Sequence, residues 1–206
     1  MCTHVLRPGV VSLLAVTLAL LECAAASAAD IGWVARINGA PTVKRGKQSA
    51  ALHQGDAVAL GDVIETDAAS KIKILFADDT ILDIGPRSHV ALDEFQLAPQ
   101  SRLVRLHALG GRFKIAISKF FGGSTEYEVR TPTAVAGVRG TILWGDTDLD
   151  AICALDGTIQ VRSLKGAEAA KLAAGECVHE MGDGKTTPLK PSAADLAAYL
   201  KEVTLE

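Results

Sequence analysis

Aromatic residues are scarce in this chain of 206 residues: phenylalanine, tryptophan and tyrosine together make up 4% of it, and Trp33 and Trp144 are its only tryptophans. Grooves that bind glycans or other small molecules are usually lined by aromatic and apolar side chains. A module that binds glycans or small ligands therefore ranks behind a module that binds another protein.

The sequence also contains no familiar catalytic motif. It has no Gly-x-Ser-x-Gly elbow, no His-Glu-x-x-His pair and no glycine-rich phosphate loop with its lysine. The histidines after residue 29 are dispersed along the chain at His53, His89, His107 and His179. We therefore expect a protein that is not an enzyme and has no cofactor or metal. A hydrolase built from scattered Asp and His residues is the least favoured function.

The acidic segment from Asp146 to Asp150 resembles the start of a calcium loop. The EF-hand pattern requires glycine at its sixth position and glutamate at its twelfth, where this chain has Ala151 and Gly157. We interpret this segment as a solvated turn, and Asp78-Asp79 as turn residues of the same kind.

The charge of the chain limits which classes of partner we expect it to bind. The formal net charge is −3 at pH 7, and the lysines and arginines are scattered instead of forming a stripe. We therefore expect no nucleic-acid partner. About 177 residues follow the predicted leader, which is enough for one domain with a sizeable core.

The first 29 residues have the features of a Sec-type signal peptide. Arg7 supplies a positive start, residues 10–21 form an apolar run, and the small residues 24–29 provide a cleavage site after Ala29. The run is too short for an ordinary membrane-spanning helix. We expect export to the periplasm and no stable membrane span after cleavage, with an uncleaved anchor as the alternative.

Two of the four cysteines, Cys153 and Cys177, lie beyond this leader. In an exported chain, an even number of cysteines indicates a disulfide; the alternative is two buried thiols that act as small hydrophobic residues. A zinc site is disfavoured, because neither cysteine has a Cys-x-x-Cys partner and His179 alone does not complete four ligands. Glu22 argues against lipidation of Cys23, because a small residue is required before a lipidated cysteine.

Alternating apolar and polar residues predict an all-β fold. In residues 71–76 every second residue is a large apolar one, which is typical of a half-buried strand. Asn38-Gly39 predicts a hairpin that joins strands 34–37 and 42–44. Short strands at this spacing favour a single β-sandwich or an open barrel. Further predicted strands are 57–60, 63–66, 71–77, 80–84, 89–92, 102–106, 112–117, 127–130, 141–144, 151–155, 158–163, 169–172 and 177–180.

This β domain is predicted to span residues 30–180, followed by a linker over 181–191 and a helical segment over 192–206. Ser192 is the expected helix cap, and the apolar residues of one helix face are Leu196, Tyr199, Leu200 and Val203. Within the β domain, Phe120 and Phe121 are expected to fill the core, whereas an exposed pair would form a docking site.

The run TPTAVAGVRGT, residues 131–141, is the most closely specified part of the chain. One proline and two glycines predict a tight loop between strands 127–130 and 141–144. Arg139 is the only charge in residues 131–140. Its guanidinium either binds a carboxylate, a phosphate or the backbone of a partner, or folds inward onto loop carbonyls, and we favour the inward position. The candidate binding residues are Thr131, Pro132, Thr133, Gly137, Arg139, Gly140 and Thr141.

The same run resembles the signature of FecR-domain proteins. Other motifs of the resemblance lie at residues 55–56, 61–66, 76–80, 82–88, 155–161 and 174–176. With the signature, they extend the resemblance over about residues 34–180.

This resemblance implies a β-rich domain with a role in signalling. The best-known members of the family are iron-uptake signal transducers, in which a cytoplasmic N-terminal arm regulates a sigma factor and a membrane helix leads to the periplasmic domain. Only about nine residues precede the apolar run here. We therefore expect a periplasmic binding or sensory module without that arm, which contacts an envelope protein through a sheet edge or the signature loop.

Overall fold

A computed structural model describes residues 29–121, 123–166 and 168–205. The predicted signal peptide lies outside the described residues, apart from Ala29. The strands are, in chain order, β1 (Asp30–Asn38), β2 (Thr42–Arg45), β3 (Gln48–Ala51), β4 (Ala57–Ala59), β5 (Val63–Glu65), β6 (Lys71–Phe76), β7 (Ile81–Ile84), β8 (His89–Ala98), β9 (Ser101–Gly110), β10 (Arg112–Ala116), β11 (Ser124–Arg130), β12 (Ala134–Val138), β13 (Ile142–Asp146), β14 (Ala151–Asp156), β15 (Thr158–Ser163), β16 (Ala169–Ala173) and β17 (Cys177–Val178). A 3-10 turn spans Met181–Asp183, and the helix α1 spans Ala193–Val203.

The strands form two sheets that pack face to face. The first sheet has the order β17-β14-β13-β10-β7-β6-β1-β4, and the second has the order β16-β15-β12-β11-β9-β8-β5-β2-β3. In β6, Ile72, Ile74 and Phe76 are fully buried, and the residues between them are half-buried. The inner faces of both sheets contribute to one hydrophobic core. The predicted all-β sandwich with a short C-terminal helix is confirmed.

The chain passes between the two sheets at many of its turns, and Asn38-Gly39 is the first example. β1 pairs with β4 and β6 in the first sheet, whereas β2 pairs with β3 and β5 in the second. The predicted hairpin between β1 and β2 is therefore wrong. Gly39 has a φ of 84°, and the Ala40 amide donates to Ser70 Oγ at 2.8 Å. The turn forms as its residues predict, but it leads into the other sheet.

Two other segments differ from the prediction. The sequence does not indicate β3, because its residues Gln-Ser-Ala-Ala include no β-branched or aromatic side chain. Residues 181–191 are predicted to be a linker, but Met181 is buried in the core and Leu189 forms an isolated bridge with Cys177. At least part of this segment is therefore packed against the domain.

The helix α1 begins as predicted and packs on the outer face of the first sheet. Ser192 Oγ accepts a hydrogen bond from the Asp195 amide at 3.1 Å. Val203 is fully buried. The ring of Tyr199 stacks on Trp144 with 4.5 Å between the ring centroids. The apolar face of the helix therefore covers one half of this sheet face.

Lysines of the sheet bind the C-terminal end of α1. Lys71 Nζ donates to the carbonyl oxygens of Lys201 at 2.8 Å and Thr204 at 3.4 Å, and Lys73 Nζ donates to that of Leu205 at 2.8 Å. The carbonyl of Lys201 belongs to the last turn of α1, which carries the negative end of the helix dipole, and a cation stabilises that end. In the described part of the chain, no helix has both the length and the hydropathy of a membrane span.

Buried hydroxyl groups hold the backbone where strands end. Thr66 Oγ1 donates to the Gly85 carbonyl at 2.6 Å and accepts from the Ser88 amide at 2.9 Å. Ser88 Oγ in turn accepts from the Arg112 amide at 2.9 Å. Both hydroxyl residues are buried, so these side chains replace the water that the backbone groups would otherwise bind.

We expect Thr66→Val to lower the free energy of unfolding by about 2–4 kcal/mol, because it keeps the shape of the side chain but leaves two buried backbone groups without a partner. Chemical denaturation measures the change. Thr158→Val is the matched control, because Thr158 is an exposed strand residue, and its effect should stay within about 0.5 kcal/mol. Equal effects of the two substitutions would contradict the role given to Thr66.

Candidate functional site

The signature run forms a strand instead of the predicted loop. β12 (Ala134–Val138) lies between β11 and β15 and pairs antiparallel with both. Ala134, Ala136 and Val138 point inward and are buried, whereas Gly137 and Arg139 are exposed. The proline and glycines favour a loop, but small side chains also suit the inner face of a strand in a tightly packed sandwich.

Polar contacts fix the beginning of β12. The amide of Thr131 donates to the Ala134 carbonyl at 2.9 Å, and Thr131 Oγ1 accepts from the Ala134 amide at 3.0 Å. Thr133 Oγ1 is hydrogen-bonded to Asp150, whose Oδ2 also accepts from the Gly182 amide at 2.6 Å. Thr131 and Thr133 therefore have structural roles. Pro132, between them, is exposed.

Backbone geometry fixes the other end of the run. Gly140 has a φ of 56°, a region that glycine enters at little cost. Thr141 is buried, and its carbonyl accepts a hydrogen bond from the Ile117 amide at 2.9 Å. A side chain at Gly157 would approach Thr141 Oγ1 to 2.8 Å. These residues set the turn from β12 into β13.

Gly137 and Arg139 are two exposed signature residues for which the described ranges show no polar contact beyond the strand pairing of Gly137. A Cβ atom at Gly137 would come no closer than 4.0 Å to a described atom, the carbonyl oxygen of Gln160. Arg139 is exposed, and its guanidinium makes no hydrogen bond or ion pair within the described ranges. The expectation that Arg139 folds inward is therefore wrong. Thr131 and Thr133 hold the start of the run instead.

Arg139 borders an open groove of about 630 Å³ on the second sheet. Its lining includes Gly137, Gln160 and Lys171 from β12, β15 and β16, and Glu126 from β11. Glu126 is bound to Arg105 at 2.6 Å, and this hydrogen bond raises the pKa of Arg105. Arg139 and Lys171 form no ion pair within the described ranges, and these two cations outnumber the one carboxylate of Glu126 in the lining, so the groove carries net positive charge. We call Gly137, Arg139, Gln160 and Lys171 the Arg139 surface.

The two adjacent phenylalanines behave differently. Phe120 is half-buried, and the guanidinium of Arg102 lies 5.5 Å from its ring centroid. Phe121 is 86% exposed, so its predicted position in the core is wrong. Both residues border a second recess, of about 320 Å³, that Arg139 also lines. An apolar ring therefore stands beside the Arg139 surface.

Arg102 is a buried charge that the sequence does not reveal. Its guanidinium donates to Asp78 Oδ2 at 2.9 Å, to Ser118 Oγ at 2.8 Å and to the Ser118 carbonyl at 2.7 Å. The ring of Tyr127 lies on it as well, 5.6 Å from centroid to guanidinium carbon, and burial raises the pKa of the Tyr127 hydroxyl. An arginine in an alternating strand looks like a surface residue, and only the strand register places this one inside.

The acidic segment after β13 is a structural turn. Asp146 is buried, in contrast to the solvated turn that we predict from sequence; its Oδ2 lies 3.1 Å from Arg112 Nε, and its Oδ1 accepts from the Asp148 amide at 2.8 Å. Asp78 has the predicted turn contacts and accepts from the Thr80 amide at 3.1 Å. Within the described ranges, no group of three or more His, Cys, Asp or Glu residues is arranged to hold a metal ion.

Cys153 and Cys177 are directly opposite each other on β14 and β17 and form a disulfide, with 4.0 Å between their Cα atoms. Both cysteines are fully buried, and they pack with Trp144 and Val203. The disulfide therefore lies beneath α1, on the half of the first sheet that the helix covers.

The tryptophans do not line the groove. Trp144 is buried under Tyr199, and Trp33 is 47% exposed on β1, which is also in the first sheet. The Arg139 surface belongs to the second sheet. The aromatic-lined groove that glycan binding would require is therefore not formed by these two residues.

Comparisons with known proteins agree with this fold. The profile of a family described as "FecR protein" matches residues 62–167, just over half of the chain. Two crystal structures of a "putative anti-sigma factor" from Parabacteroides distasonis ATCC 8503, at 1.65 and 2.50 Å resolution, are similar with a TM-score of 0.52 and 17% sequence identity. The similarity covers 67% of this chain and 64% and 63% of those chains, which is less than two thirds of their length. At this identity it concerns the fold alone. No curated protein matches the chain.

We expect the isolated protein to contain one disulfide and to lose about 3 kcal/mol of stability on its reduction, because the bond closes a loop with a sequence separation of 24. Mass spectrometry with and without reductant measures the bond, and denaturation of both forms measures its effect. The double substitution Cys153→Ala/Cys177→Ala is the control and should match the reduced protein. Two free thiols in the untreated protein would contradict the expectation.

Proposed function

Because the chain belongs to the FecR family, we propose that it is a non-catalytic binding module of envelope signalling, which recognises a protein partner through the Arg139 surface. Membership of this family supports a signalling or regulatory role. The features of a signal peptide in residues 1–29 support a periplasmic location, in which the exported domain itself is the functional unit.

The observation that carries the proposal is the contrast within the signature run. Thr131, Thr133 and Thr141 are engaged or buried inside the domain. Gly137 and Arg139, on the same short run, face solvent. A glycine that no neighbour requires leaves room for close approach by another backbone, and the arginine beside it offers a forked donor. These two properties fit contact with a second protein.

The chemistry of the surface narrows what the partner presents there. Arg139 and Lys171 leave positive charge in the groove, and Gln160 adds an amide that both donates and accepts hydrogen bonds. A guanidinium binds a carboxylate with two parallel hydrogen bonds. We therefore infer that the partner places a carboxylate against Arg139, either from an Asp or Glu side chain or from its C-terminus.

We expect Arg139→Ala to abolish capture of a specific envelope protein in a cross-linking pull-down with tagged protein, while circular dichroism shows that the variant is folded. Arg162→Ala is the matched control. Arg162 is an exposed arginine on β15 of the same sheet and is paired with Val135, which places it roughly 13 Å from Arg139 along the strands. Arg162→Ala should retain capture.

Recovery of the same partner by the wild type and by Arg139→Ala would contradict recognition through this surface. If all three proteins come back alone, the role of the domain as a protein-binding module would itself be contradicted, and glycans or other small ligands of the periplasm would be the class to test next.

Gly137→Val separates folding from binding. Valine favours strands over glycine, and its Cβ atom has at least 4.0 Å of space at this position, so we expect the free energy of unfolding to stay the same or rise by up to about 1 kcal/mol. We expect capture of the partner to fall, because the valine methyl groups stand where the partner backbone approaches. A variant that is stable and still binds fully would contradict close approach at Gly137.

The proposed location has its own test. We expect the protein recovered from cells to begin at Asp30 and to lie in the periplasmic fraction, as N-terminal sequencing of the fractions measures. Intact protein in the cytosol with residues 1–29 still attached would contradict export without bearing on the Arg139 surface.

A further inference from the structure

An apolar row crosses the outer face of the first sheet. Trp33 pairs with Leu75, Leu75 with Ile81, Ile81 with Ala116, and Ala116 with Ile142. The neighbours of each along its strand point inward and are buried. The row therefore consists of directly opposed residues on five adjacent strands, β1, β6, β7, β10 and β13. At the β4 edge, Ala57 extends it by pairing with Trp33.

This apolar row is open to solvent. Trp33 is 47% exposed and Ile81 is 36% exposed, and the other members are half-buried. Contiguous apolar residues on an otherwise polar surface usually mark an interaction site, whereas single exposed apolar residues do not. The apolar row therefore has the features of a docking surface.

The helix α1 runs alongside the row. It crosses the strands, because Tyr199 stacks on Trp144 of β13, Glu202 pairs with Arg112 of β10, and the carbonyl of Lys201 near its end accepts from a lysine of β6. The apolar row crosses the same strands in the same order. One part of this sheet face is therefore covered by α1. The uncovered part carries the apolar row, which runs parallel to α1.

The spacing between the row and α1 fits a second helix. Ile142 lies two residues, or about 7 Å, from Trp144 along β13. The helix α1 lies over Trp144 and also over Arg112, which is at the next outward-facing position along the strands. The separation from the row to the axis of α1 is thus about 10 Å, close to the 8–10 Å between packed helices. With Ala57 of β4 included, the row crosses six strands. It is therefore about 24 Å long, which is the length of a helix of about 16 residues.

Positive side chains lie between the row and α1. Arg36 pairs with Lys73, Lys73 with Asp83, and Asp83 with Lys114. Asp83 is buried between the two lysines, 2.7 Å from Lys114 Nζ and 3.7 Å from Lys73 Nζ. One carboxylate among three cations leaves a net positive border, and Arg36 is exposed. Binding of a partner segment to the row is therefore favoured if the edge of that segment nearest α1 carries acidic side chains.

We infer that the apolar row binds an amphipathic helix of a partner protein, which lies beside α1 with its apolar face on Trp33 and Ile81 and its acidic edge toward Arg36. This contact is separate from the Arg139 surface, because the row belongs to the outer face of the other sheet. It completes a helical layer that α1 begins.

A designed helical peptide of about 16 residues tests the chemistry of the row. The peptide carries leucines on one face and glutamates along one edge, and its matched peptide has lysines in place of the glutamates. We expect the acidic peptide to shift the emission of Trp33 to shorter wavelength and to bind at least about tenfold more tightly than the basic one. Trp33→Phe should remove the spectral response, since Trp144 is already buried.

Variants of the whole chain assign the binding to the row. Ile81→Glu adds a charge at a position that is exposed enough to keep it in water, so the variant should fold and should weaken the acidic peptide about tenfold or more. Arg139→Ala should leave peptide binding unchanged. Equal binding of both peptides, or no effect of Ile81→Glu, would overturn the inference.

A photo-activated cross-linker at position 81, in the protein produced with its leader, identifies the natural occupant. The control position is Leu164, which is 52% exposed outside the row. We expect position 81 alone to yield a peptide of another protein with apolar residues at i, i+3, i+4 and i+7 and acidic residues beside them. Cross-links to residues 1–28, to a second copy of the chain, to a segment without this pattern, or to nothing would each overturn it.

Discussion

At several crossings between the two sheets, the chain buries backbone amides and carbonyls that have no ladder partner, and the structure depends on satisfying them. Side chains meet this need. Asp62, between β4 and β5, accepts from the Ala59 amide at 2.9 Å and is held by Arg45. Ser163 at the end of β15 has a similar role, because its Oγ donates to the Met181 carbonyl at 2.6 Å and fixes the segment after β17. Each of these two side chains is buried. A sandwich with fewer crossings would need fewer buried polar side chains to satisfy its backbone.

The motifs that carry the resemblance to FecR proteins coincide with these crossings. Asp62, Thr66 and Ser88 lie in them, and each binds backbone groups from neighbouring segments. Most of the recognisable pattern therefore records how the backbone is held and not what the domain binds. This is why Gly137 and Arg139 are the informative exceptions: both are exposed, and the guanidinium of Arg139 has no partner within the described structure.

The fold could be predicted where local patterning and burial agree. The alternation in β6 and the capping of α1 by Ser192 depend on neighbours in sequence, and the structure has both. The partner of a strand depends instead on which sheet buries its apolar face. For that reason Asn38-Gly39 predicts the turn but not the pairing, and the small residues of β12 favour a loop although two strands hold them in the sheet.

The candidate site shows the same division. The sequence singles out Arg139 because it is the lone charge in a run of small residues, but the direction of its side chain follows from the register of β12. Arg102 has no local signal at all. Its burial is explained by Asp78 and Ser118, which come from other parts of the chain. Groups brought together by topology alone are beyond what one sequence reveals.

The two outer faces of the sandwich differ in what they leave uncovered. On the second sheet, charges pair across strands, as with Arg105 and Glu94 or Lys44 and Glu65, and Arg139 is exposed just after its signature strand. On the first sheet, α1 covers the disulfide and Trp144 but leaves Trp33 open.

A polar contact and an apolar contact on opposite faces suit different tasks. A polar contact centred on one arginine confers specificity more than affinity, whereas burial of an apolar row supplies affinity with little discrimination. The two proposed contacts would let the same small domain be held by one protein while it recognises another. The two faces lie on opposite sides of one core, to which the inner residues of both β10 and β11 belong.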